Sequence, residues 1–137
     1  MSAYYTRCNR LYVFNDGVKI GTSKRGGRQS VSIITVETYV VRAEKSIEFT
    51  TLIDEFLKFK KAHPQLFKGV KSWKLYRQDY GQPAGMYIEM WEYGNLAQVE
   101  ETNRQIFSDE RMKKINAAFH KLVEPATFSS SIWSEVA

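Results

Sequence analysis

Residues 69–93 read GVKSWKLYRQDYGQPAGMYIEMWEY, and this stretch decides the fold. Two runs rich in aromatic and aliphatic residues, Gly69 to Asp79 and Ala84 to Tyr93, flank Tyr80-Gly81-Gln82-Pro83. Gly and Pro mark a turn there, so the runs are strands, and so short a connection makes them antiparallel. In the second run Met86, Ile88 and Met90 alternate with Tyr87, Glu89, Trp91 and Tyr93. Successive side chains of a strand point to opposite faces. One face is therefore aliphatic, and the other is aromatic with a carboxylate. In the first run Trp73 and Leu75 share one face and Ser72, Lys74 and Tyr76 the other. Polarity does not choose between them.

Upstream, Val31 to Arg42 is dense in β-branched residues on both faces, which predicts a strand covered on both sides. Ser46 is placed to cap a helix whose Phe49, Leu52, Ile53, Phe56, Leu57 and Phe59 recur at helical spacing. Lys58, Lys60 and Lys61 suit its C-terminal dipole, and His63-Pro64 ends it. Downstream, Asn95 followed by Gln98 reads as a capping box. Leu96, Val99, Ile106 and Phe107 continue that helix, and Ser108-Asp109 predicts a break and restart. Met112, Ile115, Phe119 and Leu122 stripe the second piece, Pro125 closes it, and Phe128 to Val136 alternates as a last strand.

The order is β-α-β-β-α-β, an α+β ferredoxin-like sandwich over 31–137. Each helix has one apolar stripe, so both cover the same sheet face. With the aliphatic series set against the helices, the opposite face carries Tyr39, Tyr87, Trp91, Tyr93 and Trp133 with Glu37 and Glu89. An aromatic patch of that size needs cover, and a second copy of the same face supplies it.

Residues 1–30 differ in texture. Leu11 to Phe14, Asn15-Asp16-Gly17 and Val18 to Ile20 form a hairpin signal, followed by a Gly-rich basic linker at 23–30. This extension holds six basic residues against Asp16, which accounts for the whole net charge of +5. The other fourteen basic and fourteen acidic residues cancel, so the domain has no bias toward phosphate backbones, and nucleic acid is not an expected partner. No run approaches the roughly 18 apolar residues of a membrane span, and no apolar leader interrupts the start. Cys8 is the one cysteine and has no intrachain partner. These features predict a soluble, cytoplasmic protein without membrane contact.

The run Gly69 to Arg77, the hairpin into Met86 to Glu92 and the interrupted helix at Phe107 to Met112 resemble the dimeric α/β-barrel superfamily. Within it they are most similar to antibiotic-biosynthesis-monooxygenase-like domains. The resemblance covers about 31–137 and rests on element order and the Trp91-Glu92 strand ending. It implies a homodimer formed through the sheet. The superfamily includes cofactor-independent monooxygenases, haem-degrading enzymes, isomerases and proteins with no known reaction. The haem-degrading branch combines a first-strand Asn, a third-strand Trp and a His on the next helix. This chain supplies Trp91 alone, so no haem is expected.

His63 and His120 lack companion ligands at metal spacing, and Ser129-Ser130-Ser131 has no neighbouring base. No metal and no cofactor are expected. Glu89 and Glu37 are the candidate acid–base groups, because an aromatic setting raises a carboxyl pKa. Arg77 is a candidate partner for either. Tyr39, Tyr87, Trp91 and Trp133 are the candidate substrate-binding walls. Two functions follow: a pocket for a small apolar or aromatic molecule with cofactor-free oxygen or proton chemistry, or a non-catalytic assembly module in which the same residues are packing.

Overall fold

The computed structural model describes residues 31–137. The hairpin and linker expected over residues 1–30, and Cys8, lie outside the described residues. The elements are β1 (Ile33–Val40), α1 (Ser46–Ala62), β2 (Val70–Arg77), β3 (Met86–Tyr93), α2 (Leu96–Ser108), α3 (Glu110–Leu122) and β4 (Ser129–Ser134). They form one sheet in the order β2-β3-β1-β4, every neighbour antiparallel. This is the ferredoxin-like α+β arrangement that the element order predicts, with α2 and α3 serving as one interrupted arm.

The helices bury the stripes their spacing predicts: Phe49, Leu52, Phe56 and Phe59 on α1, Val99 and Ile106 on α2, Met112 and Leu122 on α3. Phe49 and Leu52 cluster with Leu122, whereas Phe56 and Phe59 cluster with Met112 and Ile106. The start of α1 therefore meets the end of α3, and the two helices run antiparallel.

Asn95 caps α2 by accepting from Gln98 N at 2.9 Å, while Gln98 Oε1 accepts from Gly94 N at 2.9 Å. Asp109 stops α2 and starts α3. Its backbone is extended, and its Oδ1 accepts from Arg111 N at 2.9 Å and Met112 N at 3.2 Å. Ser46 behaves differently from expectation. A 3₁₀ turn at Ala43–Lys45 leads into α1, so Ser46 is already helical at φ −61°, ψ −38° and caps nothing. β3 begins at Met86 because Gly85, at φ +78°, turns the chain and its carbonyl accepts from Val41 N at 3.0 Å.

The Arg111 guanidinium, the strongest influence, and the two backbone N–H groups hold the Asp109 carboxyl down at about 2, from 3.8. Asp109→Ala removes the cap and lowers stability by about 1 kcal/mol at neutral pH. Because the folded pKa is depressed, the contribution is full above about 4 and is lost as pH falls toward 2. Wild-type and variant melting temperatures therefore converge at low pH.

The register reverses the expected face assignment. Ile33, Thr35, Glu37 and Tyr39 lie opposite Tyr93, Trp91, Glu89 and Tyr87, and Trp73 and Leu75 lie opposite Trp91 and Glu89. This aromatic face meets the helices: Tyr39 packs on Phe119 at 4.8 Å, Tyr87 on Phe49 at 4.7 Å and Trp73 on Phe56 at 5.2 Å between ring centroids. The aliphatic series faces away. Both faces are apolar enough to be buried, so hydrophobicity does not distinguish them. The helix stripes carry phenylalanines, and flat rings pack edge-on and offset against other rings. The helix-facing side also supplies the donors that Glu89 requires.

Candidate functional site

Glu89 sits at the middle of β3, opposite Glu37 on β1 and Leu75 on β2, and its carboxylate lies between sheet and helices. Oε1 accepts from the indole Nε1 of Trp73 and of Trp91, each at 2.8 Å. Oε2 accepts from the Tyr39 hydroxyl at 3.0 Å. The strands set this geometry. Trp91 and Glu89 share a face two residues apart, Trp73 is brought opposite Trp91, and Tyr39 reaches diagonally from β1. Phe56 and Phe67 close over Trp91 at 5.9 and 6.3 Å, and Tyr39 is fully buried.

All three donors are neutral. Among the described residues no Lys or Arg forms an ion pair with Glu89. Burial, the dominant cause, raises the Glu89 carboxyl above its ordinary 4.5, and the hydrogen bonds from Trp73, Tyr39 and Trp91 oppose it. Burial also pushes the Tyr39 phenol far above the usual range, reinforced by the negative charges of Glu89 and Glu37. Tyr39 therefore stays protonated and remains a donor.

The structure brings Glu89, Glu37, Tyr39, Tyr87 and Trp91 onto one face. It does not bring Trp133 there: that residue lies opposite Ile34 on the other face, 61% exposed, with Nε1 donating to Ser131 Oγ at 2.8 Å. Arg77 donates to Asp79 Oδ1 at 3.0 and 3.1 Å, not to either candidate glutamate. Trp73 belongs to the site, although the polarity of its strand does not choose its face. Its signal is its register with Trp91, which the pattern of β2 alone does not fix.

His63 Nδ1 lies 3.0 Å from the Phe59 carbonyl, and burial lowers the pKa of His120. Among the described residues, no group of three metal-ligating side chains forms, and no helix is long and apolar enough to cross a membrane. Two surface hollows, of about 660 Å³ between α1 and α3 and about 270 Å³ beside Gly69 and α2, are lined by neither Glu89 nor Tyr39.

The helix-free face carries Ile34, Val36, Met86, Ile88 and Met90, with Tyr76 50% and Ile88 37% exposed. At its edge Glu92 accepts from Ser72 Oγ at 2.8 Å and Ser32 Oγ at 2.9 Å, which lowers its pKa.

No protein-family model and no curated sequence matches the chain. Solved structures do. A NIPSNAP family protein from Agrobacterium tumefaciens is 21% identical over 82% of this chain and 93% of its own, with a TM-score of 0.65. A candidate antibiotic biosynthesis monooxygenase from Caulobacter crescentus is 18% identical over 79% and 92%, with a TM-score of 0.61. An uncharacterised NIPSNAP-like domain protein from Burkholderia xenovorans is 15% identical over 77% and 86%, with a TM-score of 0.59. The chain thus has the ferredoxin-like fold of NIPSNAP and antibiotic-biosynthesis-monooxygenase-like proteins, the fold that the sequence resembles.

Proposed function

We propose that the domain pairs with a second copy through its helix-free sheet face and binds a small aromatic or apolar molecule beside Glu89, with which Glu89 exchanges a proton. The observation that carries this is a carboxylate held by two indoles and a phenol, with no cation paired to it among the described residues. A carboxylate offers about four acceptor positions, and the described residues fill three, leaving among them one on Oε2 next to Tyr39. Burial strengthens Glu89 as a base. Tyr87 and Trp91, half-buried with one side already against Phe49 or against Phe56 and Phe67, are the walls for an aromatic guest, and Glu37 sets the local negative field. Trp133 belongs to the pairing surface in this scheme.

A proton taken from a phenol or an activated CH₂ leaves an electron-rich anion. Returned at another carbon, the proton completes an isomerisation. Alternatively the anion reacts with dioxygen: a carbon–oxygen bond forms, and loss of water from the hydroperoxide leaves a carbonyl. The substrate supplies the electrons.

The rival is a non-catalytic assembly module, favoured by the ring contacts of Phe56 and Phe67 with Trp91. Phenols of one to three rings serve as probes, with tryptophan fluorescence read in a Trp133→Phe background and oxygen uptake read in parallel. Glu89→Gln keeps an acceptor for both indoles, and the Tyr39 hydroxyl turns to accept from the amide. Turnover falls about 100-fold or more while probe binding changes little. Undiminished turnover removes Glu89 from the chemistry. Absence of quenching by every probe favours the assembly module.

A further inference from the structure

The outer surface of the helical layer carries a second feature, independent of the Glu89 site. The 660 Å³ hollow between α1 and α3 has Leu52, Ala117 and Ala118 among its walls, and Ile47 stands at one end, 81% exposed. Its two rims differ in charge. Glu48 and Glu55 lie along α1 with Lys45 at the end, a net of one negative charge, and Lys114 and Lys121 lie along α3. Both pairs are seven residues apart, about 10.5 Å along a helix. Since the helices run antiparallel, Glu48 lies level with Lys121 and Glu55 with Lys114. Glu48 is paired with Lys45 at 3.2 Å, but among the described residues Glu55, Lys114 and Lys121 have no ion pair across the hollow.

We infer that this groove is a self-complementary interface for a second copy of the chain, with the two-fold axis running along the groove. That axis places α1 of one copy over α3 of the other and preserves position along the groove. Glu48 then meets Lys121 and Glu55 meets Lys114, each twice by symmetry. An axis across the groove would instead set acid against acid. Ala117 and Ala118 leave room between the lysines for close approach, and Ile47 falls over the end of the other copy's groove near Ala118. A purely basic or purely acidic partner matches one rim and is repelled by the other. A second copy matches both.

Sedimentation velocity on the full chain tests this. Lys114→Glu with Lys121→Glu makes both rims acidic, and the mass falls: from an open-ended chain of copies to a dimer if sheet pairing also operates, from a dimer to a monomer if it does not. Adding Glu48→Lys and Glu55→Lys exchanges the rims and restores the wild-type mass. Raising salt from about 0.05 to about 0.5 M weakens the wild-type association at least tenfold. All four positions are exposed, and circular dichroism confirms that the variants are folded. An unchanged mass for the double variant overturns the inference, as does a folded quadruple variant that fails to reassemble. Ile88→Asp, on the other face, reads the sheet pairing separately, so the failure of one interface is distinguishable from the failure of the other.

Discussion

Replacing Glu89 with leucine lowers the stability of the domain by roughly 2 kcal/mol, because the buried Tyr39 hydroxyl loses its acceptor at about 1 kcal/mol or more and the two half-buried indoles lose theirs at about 0.5 kcal/mol each. The indoles of Trp73 and Trp91 and the hydroxyl of Tyr39 all point at this carboxylate. Urea unfolding at constant slope measures the loss. Glu89→Gln, which keeps the acceptor oxygen, loses far less. The pair of variants therefore separates the hydrogen bonds from the charge.

The charge has its own signature. Burial raises the Glu89 pKa above 4.5, so the folded state binds the proton more tightly than the unfolded chain. Its contribution is complete below 4.5 and is lost as pH rises through the folded value. Asp109 and Glu92 act the other way and at lower pH, since their pKa values are depressed. His120, depressed by burial, loses stability as pH falls below 6.5 and so opposes Glu89 over part of the range. The difference between wild type and Glu89→Gln at each pH cancels these other groups. It should grow against the wild type with rising pH; a difference that does not depend on pH excludes a proton-holding Glu89.

Ile88→Asp gives the second large effect. Ile88 lies near the centre of the helix-free face, between Thr38 and Tyr76 on its neighbouring strands. In a symmetric interface each substitution enters twice, and an unpaired carboxylate there must be desolvated. In the proposed dimer the sheet-to-sheet dissociation constant rises at least 100-fold, about 2.7 kcal/mol. Light scattering against concentration measures it. In the monomeric protomer Ile88 is already exposed, so the fold itself tolerates the change. Unaltered association would exclude this face as the pairing surface.

Much of the fold was legible because local chemistry fixes it. The alternation in Met86 to Tyr93, the stripe from Phe49 to Phe59, the Asn95–Gln98 box and the Asp109 cap each depend on residues a few positions apart. Their readings needed no tertiary knowledge. Ser46 shows the limit of such local reasoning, since the 3₁₀ turn before it was not visible as a pattern and moved the helix start.

The candidate site was legible as a set of residue types but not as a place. Glu89, Glu37, Tyr39, Tyr87 and Trp91 share a parity that alternation alone groups together. Whether that parity faces helices or a partner depends on which ring fits against which, and two apolar faces leave the choice to three-dimensional packing. Trp73 joined the site and Trp133 left it for the same reason: strand register pairs residues distant in sequence, and a shift of one position reverses the face. The chain's own pattern determined the elements, their order and the two kinds of sheet face. Tertiary structure decided which face lies inside, because only packing tests shape and requires every buried donor to find an acceptor.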